Sequence, residues 1–326
     1  MNASVPVAGG ATRARELLRQ SYGLIQALAV LLVLVVVMSS LSPRFLSWIN
    51  IANLMGQMAV PLIVAAGMTI VMIAGEFAIS VGSVVALSAA VSATVMLQYG
   101  IVAGVLLSLL IGPASGWLNG IVTTKGRIPS FIVTLGTMMM ARSLAFVVTG
   151  GKVVSDLPDA FKALGQARVA GVPLLFLIAL LTYAVGGFML TRTAFGKRVY
   201  AVGANRMVAT LSGIRADRVK IQCMMIVGFT ASFAGNLLLA RIGAIQADTA
   251  RGLEFEVIAA VVIGGTSRYG GQGNILRTII GVIIIALIRN FLNLSRIDIF
   301  WQDFATGAII IAAVLLDALQ KRVGRG

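Results

Sequence analysis

The sequence predicts an all-α polytopic membrane protein of about ten transmembrane helices. Three observations carry that expectation. Of its 326 residues, 59% are hydrophobic and 11% are charged, and the mean hydropathy is +0.98. A soluble chain of this size cannot hide that much apolar surface from water. The apolar residues also fall into blocks of roughly 20, the length a helix needs to cross the hydrocarbon core. Finally, alternate loops between the blocks differ in charge, as membrane topology demands.

The spans fall at 22–42, 52–74, 80–98, 101–123, 129–149, 172–191, 219–240, 254–267, 275–293 and 300–318. The first follows Arg13, Arg15 and Arg19, like a signal peptide. Its length and the lack of a small-x-small cleavage site make it an uncleaved first helix. The eighth is short, with Gly264, Gly265, Gly270, Gly271 and Gly273 at its end. The chain then divides into a cytoplasmic N-terminal segment 1–21, a membrane domain 22–318 and a cytoplasmic tail 319–326.

Ten spans place both termini on one side, and the charges agree. The loops sharing the N-terminal side hold Lys125 and Arg127, then seven basic residues within 192–220, then Arg268 and Arg277, then Lys321, Arg322 and Arg325. The opposite loops are nearly neutral. The 150–171 loop sets Lys152, Lys162 and Arg168 against Asp156 and Asp159; the 241–256 loop sets Arg241 and Arg251 against Asp248, Glu254 and Glu256. The basic side is cytoplasmic by the positive-inside rule. That rule accounts for the net charge of +15 without a nucleic-acid partner.

A faint internal repeat accompanies the spans. GEFAISVGSVVAL from Gly75 resembles LEFEVIAAVVIGG from Leu253, and GVLLSLLIGPASGWLNG from Gly104 resembles GVIIIALIRNFLN from Gly281. The offsets, 254 − 76 = 178 and 281 − 104 = 177, nearly coincide. A shift of five spans inverts the second copy, giving a 5+5 inverted repeat with a pathway near the repeat interface. Chance likeness among apolar segments is the competing explanation.

The stretch FGKRVYAVGANRMVATLSGIRADRVK, 195–220, is a basic segment with the marks of a structured loop: small residues, a cap and a glycine stop. Asn205 can cap a helix over Arg206 to Ser212, Gly213 suits its left-handed stop, and Asp217 can cap the next span. Met207, Val208 and Leu211 share one side of that helix, and it is too small to fold alone. Composition leaves three partners open: anionic lipid, the rest of this protein, or a cytoplasmic chain.

Several chemistries are not encoded. The single cysteine, Cys223, excludes an intrachain disulfide, and there is no histidine for a metal site, a triad or the commonest proton relay. No G-x-x-x-x-G-K-[S/T] loop exists, and the Gly-rich GGTSRYGGQG of 264–273 lacks the lysine, so it is read as a tight cytoplasmic turn. No carboxylate pair or nucleophile constellation points to an enzyme. The candidate pathway residues are Glu76, Ser80, Ser83, Asn119, Arg142 and Asn290. Intramembrane ionisable groups are functional hypotheses by default. For Glu76 a solvated position at a cytoplasmic turn weighs evenly against a pathway role. Arg142 needs a partner or an aqueous cavity. Asn53, Gln57, Asn119, Asn236 and Asn290 could bond sugar hydroxyls or tie helices together. Asp303 suits the outer surface.

YAVGANRMVATLSGIRADRVK resembles the cytoplasmic coupling segment of the ribose-type sugar ABC importer permeases, Y-A-x-G-x-N-x-x-A-A-x-x-x-G-I-x-x-x-x-x-K. Tyr200, Gly203, Asn205, Ala209, Gly213, Ile214 and Lys220 match, and Val208 stands where alanine is more usual. KGRIPSFIVTLGTMMMARSLAFVVTGG (125–151) and EFEVIAAVVIGGTSRYGGQGNILRTIIGVIIIALIRNFLNL (254–294) match as well. The resemblance implies a permease pair, of identical or related chains, in a bacterial inner membrane. A binding protein feeds the pair, and a separate ATPase holding ATP and Mg drives it, with no cofactor in this chain. The substrate is a simple sugar such as ribose, xylose or galactose. It also implies that Gly203, Asn205, Arg206, Ala209, Ser212, Gly213 and Ile214 couple to the ATPase. One position departs: where the family reads G-x-x-D-L/I-S-V-G-S, this chain has Ala78 in place of the aspartate. An ion-gradient-driven carrier of small polar solutes is the alternative, since inverted repeats serve there too. Scarce intramembrane carboxylates and the structured basic loop weigh against it. A passive channel would need a pore-lining polar ring, and none is identified.

Overall fold

The computed structural model describes residues 28–29, 31–42 and 44–298, with 301–302, 304–305, 307–308, 311 and 315 beyond them. The N-terminal segment 1–21, the tail 319–326 and Asp303 lie outside the described residues, as do the start of the first expected span and much of the tenth. A short apolar helix α1 (Leu31–Leu41) comes first. Then follow α2 (Trp48–Ile73), α3 (Val81–Tyr99), α4 (Ile101–Lys125), α5 (Ser130–Thr149) and α6 (Asp159–Gln166). A hairpin of β1 (Arg168–Val169) and β2 (Val172–Pro173) leads into α7 (Leu174–Arg192), α8 (Ala194–Ala204), α9 (Arg206–Leu211), α10 (Ala216–Ile242), α11 (Leu253–Ile263) and α12 (Ile275–Leu294). Among the described residues seven helices are long and apolar enough to cross a membrane: α2, α3, α4, α5, α7, α10 and α12.

Burial separates these helices into a centre and a rim. The apolar stretches of α2, α3 and α10 are 89%, 72% and 78% buried, whereas those of α4, α5 and α7 are 22%, 17% and 28% buried. Leu106, Leu110, Met139, Met140, Leu181 and Phe188 project outward from the rim. Such a face suits lipid, which is as apolar as the side chains it meets.

Lipid supplies no hydrophobic force between helices, so close contact and polar ties must hold them. Helix α4 carries a small residue at every fourth position: Gly104, Ser108, Gly112, Gly116 and Gly120. These let it touch α10 backbone to backbone. A Cβ at Gly112 would sit 1.9 Å from the Gly228 carbonyl oxygen, and one at Gly116 2.1 Å from that of Met224. A buried polar knot completes the contact. Ser92 and Ser108 donate to the Asn236 side-chain oxygen at 2.7 and 3.0 Å, and the Asn236 amide donates to the Ser232 carbonyl at 3.0 Å. Asn236 therefore ties α3, α4 and α10 together.

The 150–171 connection, expected as a plain loop, contains α6 and the hairpin. It packs on the end of α10, where a Cβ at Gly165 would meet the Ala240 carbonyl oxygen at 2.1 Å. A bridge between Val154 and Ile245 joins it to the 243–252 connection. The two nearly neutral loops thus share one end of the bundle, as the charge alternation requires.

Candidate functional site

Two breaks interrupt the bundle, one from each end. At the basic end, α2 stops at Ile73, and Gly75 turns the chain inward with φ +80°. The 74–80 segment is not helical; the N–H groups of Ala74, Gly75 and Glu76 turn back onto α2 carbonyls, but those of Phe77 and Ile79 need outside acceptors. Helix α5 supplies them: Phe77 N donates to Ser130 Oγ at 3.0 Å and Ile79 N to Thr134 Oγ1 at 3.2 Å. Asn119 of α4 donates to Ser80 Oγ at 3.4 Å and accepts from the Thr137 hydroxyl. Asn119 lies six residues before the end of α4. Ser80 therefore sits about 9 Å inside the bundle at 1.5 Å per residue. Glu76 is not solvated there; it is 6% exposed and ion-paired with Lys220 at the start of α10. Ala78, Ser80, Ser115 and Asn119 border a cavity of about 10 Å³. That is room for a single water at most, so the family's aspartate could enter at position 78 only if neighbours shifted.

The same break is welded to the basic loops. A Cβ at Gly203 would lie 1.8 Å from the Ile73 carbonyl oxygen, and one at Gly270 2.8 Å from Gly75 Cα. Gly271 N donates to the Ile73 carbonyl at 2.8 Å. The Tyr200 hydroxyl donates to the Gly273 carbonyl at 2.8 Å. Burial pushes that phenol above its ordinary pKa, which keeps it a neutral donor. The Gly-rich 264–273 segment is the tight turn expected of it, and its glycines serve this joint.

The basic stretch 192–220 folds into two helices, where the sequence anticipated one. Thr193 caps α8 through Gly196 N at 3.3 Å. Asn205 caps α9 as expected, accepting from Met207 N and Val208 N at 3.0 and 3.1 Å, and Gly213 makes the left-handed stop with φ +81°. Ser212 follows the last turn, and its hydroxyl donates back to the Val208 carbonyl at 3.0 Å. Ala209 is buried, and Ile214 packs on the core. Met207, Val208 and Leu211 stand 74%, 57% and 83% exposed. Asp217 does not cap α10, contrary to expectation. Helix α10 starts two residues earlier, with Arg215 at the cap position, and Asp217 pairs with Arg206 at 2.6 Å. An exposed pair adds little stability, but it sets the orientation of α9 on α10.

The second break, 243–252, enters from the opposite end. Gly243 ends α10 with φ +74°, and Gly252 starts α11 with φ +82°. The 11 residues of α11 span about 16 Å, half of the roughly 30 Å hydrocarbon core. Arg142 of α5 finds its partners here, donating to the carbonyls of Ala247 and Thr249 at 2.9 and 2.8 Å. Glu254 and Glu256, expected among loop charges, belong to α11 and are 4% and 5% exposed. They are buried because α11 begins inside the bundle. Glu256 pairs with Arg289 at 2.6 Å. One Glu254 oxygen accepts from Gly252 N at 3.3 Å. The other faces α3, where a Cβ at Gly82 would meet it at 2.0 Å.

The sequence-derived candidates thus divide. Glu76, Ser80 and Asn119 gather at the first break, Arg142 at the second, and Ser83 beside Gly82 where the two approach. Asn290 stands apart, exchanging side-chain hydrogen bonds with Asn50 at 2.9 and 3.0 Å. Asn53 and Gln57 are exposed on α2. Sequence reasoning missed Glu254. Its signal was two acids near the start of a short apolar helix.

A family model for the permease component of branched-chain amino acid transport systems matches residues 50–314. The ribose import permease protein of Bacillus subtilis is 38% identical over 291 residues, covering 88% of this chain and 90% of its own. That of Haemophilus influenzae is 36% identical over 292 residues, covering 88% and 90%. The autoinducer 2 import system permease protein of Yersinia pseudotuberculosis is 32% identical over 292 residues, covering 89% and 83%. No solved structure matches the chain. With its long apolar helices, and with likeness running through most of its length, the chain belongs to the ribose-type family of ABC importer permeases, multi-pass membrane subunits of sugar transport.

Proposed function

We propose that this chain is the transmembrane permease of an importer for a simple sugar, driven by a separate ATPase and fed by a periplasmic binding protein. In this reading it has ten spans arranged as a 5+5 inverted repeat and pairs with a second permease chain. It lies in the inner membrane with both termini cytoplasmic. The two opposed breaks support the repeat, since broken helices near the middle of the bundle characterise such pathways. The names of the ribose import relatives support a simple sugar as the substrate.

The observation that carries the reading is α9. It is a capped, oriented helix at the basic end, anchored by Ala209 and Ile214, that holds Met207, Val208 and Leu211 out of its own core. Amphipathic helices of this kind bind by seating apolar anchors in a partner's groove. From α9 a direct route runs inward: α9 turns at Gly213 into α10, Lys220 of α10 grips Glu76, and Glu76 belongs to the first break. Nucleotide-driven movement of α9 would shift that break through this pair.

Arg206→Glu reverses the charge that orients α9, and Gly213→Val strains its stop. Both variants should insert normally yet lose ATPase co-purification and substrate-stimulated hydrolysis. Normal coupling in both would remove α9 as the lever. Uptake into proteoliposomes holding permease, ATPase and binding protein should need ATP and survive a protonophore. Uptake by this chain alone, on an ion gradient without ATP, would make it a secondary transporter.

A further inference from the structure

We infer that the junction of the α3 and α11 N-termini is a binding point for a neutral polyhydroxylated solute, held by the Glu254 carboxylate and the Ser83 hydroxyl. The inference rests on the importer reading for its biological meaning and deepens it by naming contacts in the pathway.

The junction is built from two helix starts without side-chain caps. Neither Ser80 before α3 nor Gly252 before α11 offers a capping side chain. First-turn N–H groups lack partners within their own helix and carry the positive end of its dipole. The Glu254 Oε2 atom lies against Gly82 in the first turn of α3, buried and without a hydrogen-bond partner. The adjacent Ser83 is 0% exposed, and its hydroxyl is also unpartnered. Buried polar atoms are nearly always bonded, so an unpartnered carboxylate oxygen against Gly82 and an unpartnered hydroxyl on the next residue of the same helical turn call for a reason.

A sugar hydroxyl donates and accepts at once. It can donate to Glu254 Oε2 while accepting from Ser83 or a first-turn N–H. The surrounding charges narrow the choice of ligand. Arg142 lies within the electrostatic reach of Glu254, Asp248 and Arg251, but its hydrogen bonds go to the Ala247 and Thr249 carbonyls. Glu254 repels anions, and a single free carboxylate oxygen makes a poor cage for a metal ion. Neutral hydroxyl donors fit best. The closed packing of Gly82 on Glu254 makes this a contact that opens as α3 and α11 part. A glycine suits this approach, because a Cβ would also sit 2.8 Å from the Ala250 carbonyl oxygen, which cannot swing aside as a side chain can.

The test places a cysteine at the site. Cys223→Ala removes the one native thiol, which is buried, and Ser83→Cys is nearly isosteric. The complex with ATPase and binding protein is reconstituted in liposomes. A small charged methanethiosulfonate reagent should modify the introduced thiol at least tenfold faster during ATP turnover than at rest. Millimolar D-ribose, D-xylose or D-galactose should slow that reaction, and Glu254→Gln should abolish the protection while leaving the labelling intact. A lipid-facing Leu106→Cys control should show neither effect. Absence of labelling, or labelling that no sugar slows and Na⁺ does, would overturn the site. So would unchanged protection in Glu254→Gln, which would leave Glu254 a mere cap on α3. The ATP requirement for wild-type uptake judges the importer reading separately. If labelling and protection follow an ion gradient instead, the site stands and the energy source changes.

Discussion

The two breaks do similar things to the chain by different means. At the basic end, the turn after α2 is held backbone to backbone by Gly203, Gly270 and Gly271, with the Glu76–Lys220 pair sealed beside it. At the opposite end, the Val154–Ile245 bridge pins the start of the 243–252 turn, but its α11 end hangs on two bonds from Arg142, and a methyl group added at its starting glycine, Gly252, would meet nothing within 4 Å. The first break is welded and the second is suspended. A welded joint passes on displacement because packed interiors deform little. A suspended one can separate while losing few contacts. That difference suits a lever at one end and a yielding contact at the other.

The largest expected effect strikes the weld. Gly203→Val drives a side chain into the Ile73 carbonyl and the Gly271 amide, and overpacking against backbone should cost about 3 kcal/mol or more. The variant should show the deepest fall in thermal midpoint in detergent. A near-native midpoint would mean that α8 is not fixed to α2, and the contrast between the two breaks would fail.

Next is the ion pair. Glu76→Gln leaves the Lys220 ammonium partly buried without its partner, which should cost about 3 kcal/mol, while Glu76→Gln with Lys220→Met should recover most of it. If the pair is the transmission link, the double variant regains stability but not ATP-coupled uptake. Recovery of both would reduce the pair to packing.

Arg142→Leu probes the suspended break. Losing two charge-assisted bonds to carbonyls should cost about 2 kcal/mol. Amide hydrogen exchange should rise across 243–252 and stay unchanged across 74–80. Equal loosening of both segments would show that the breaks are one mechanical unit.

What the sequence disclosed follows from which physics is local. Seven of the ten expected spans were legible because membrane crossing depends on apolar length, and the eighth proved to be the 11-residue α11. The α9 helix was legible because Asn205 and Gly213 act on their immediate neighbours. Asp217 misled because the same carboxylate suits a helix cap or an arginine 11 residues away, and only the fold decides. Glu254 and Glu256 read as loop charges because counting residues cannot reveal that α11 starts inside the bundle. The four-residue spacing of small residues in α4 was visible, but its partner at Gly228 was not. The polar candidates sorted themselves only when helices distant in sequence met: Asn119 with Ser80, Arg142 with Ala247 and Thr249, Asn290 with Asn50.

The smallest effect tests the suspended break by its own glycine. Gly252 has φ +82° and open space around it, so Gly252→Ala meets only backbone strain, about 1 kcal/mol. Gly203→Ala is the matched control at the weld, where the same single methyl group would sit 1.8 Å from a carbonyl oxygen. The stability loss should therefore be distinctly larger at 203 than at 252, though the chemical change is identical. Thermal midpoints of the two variants, measured side by side in one detergent, decide it. Equal losses would mean that the start of α11 is held by contacts as tight as those at Gly203. In that case α11 could not part from α3 at Gly82, and the second break would have to move as a rigid piece with α10.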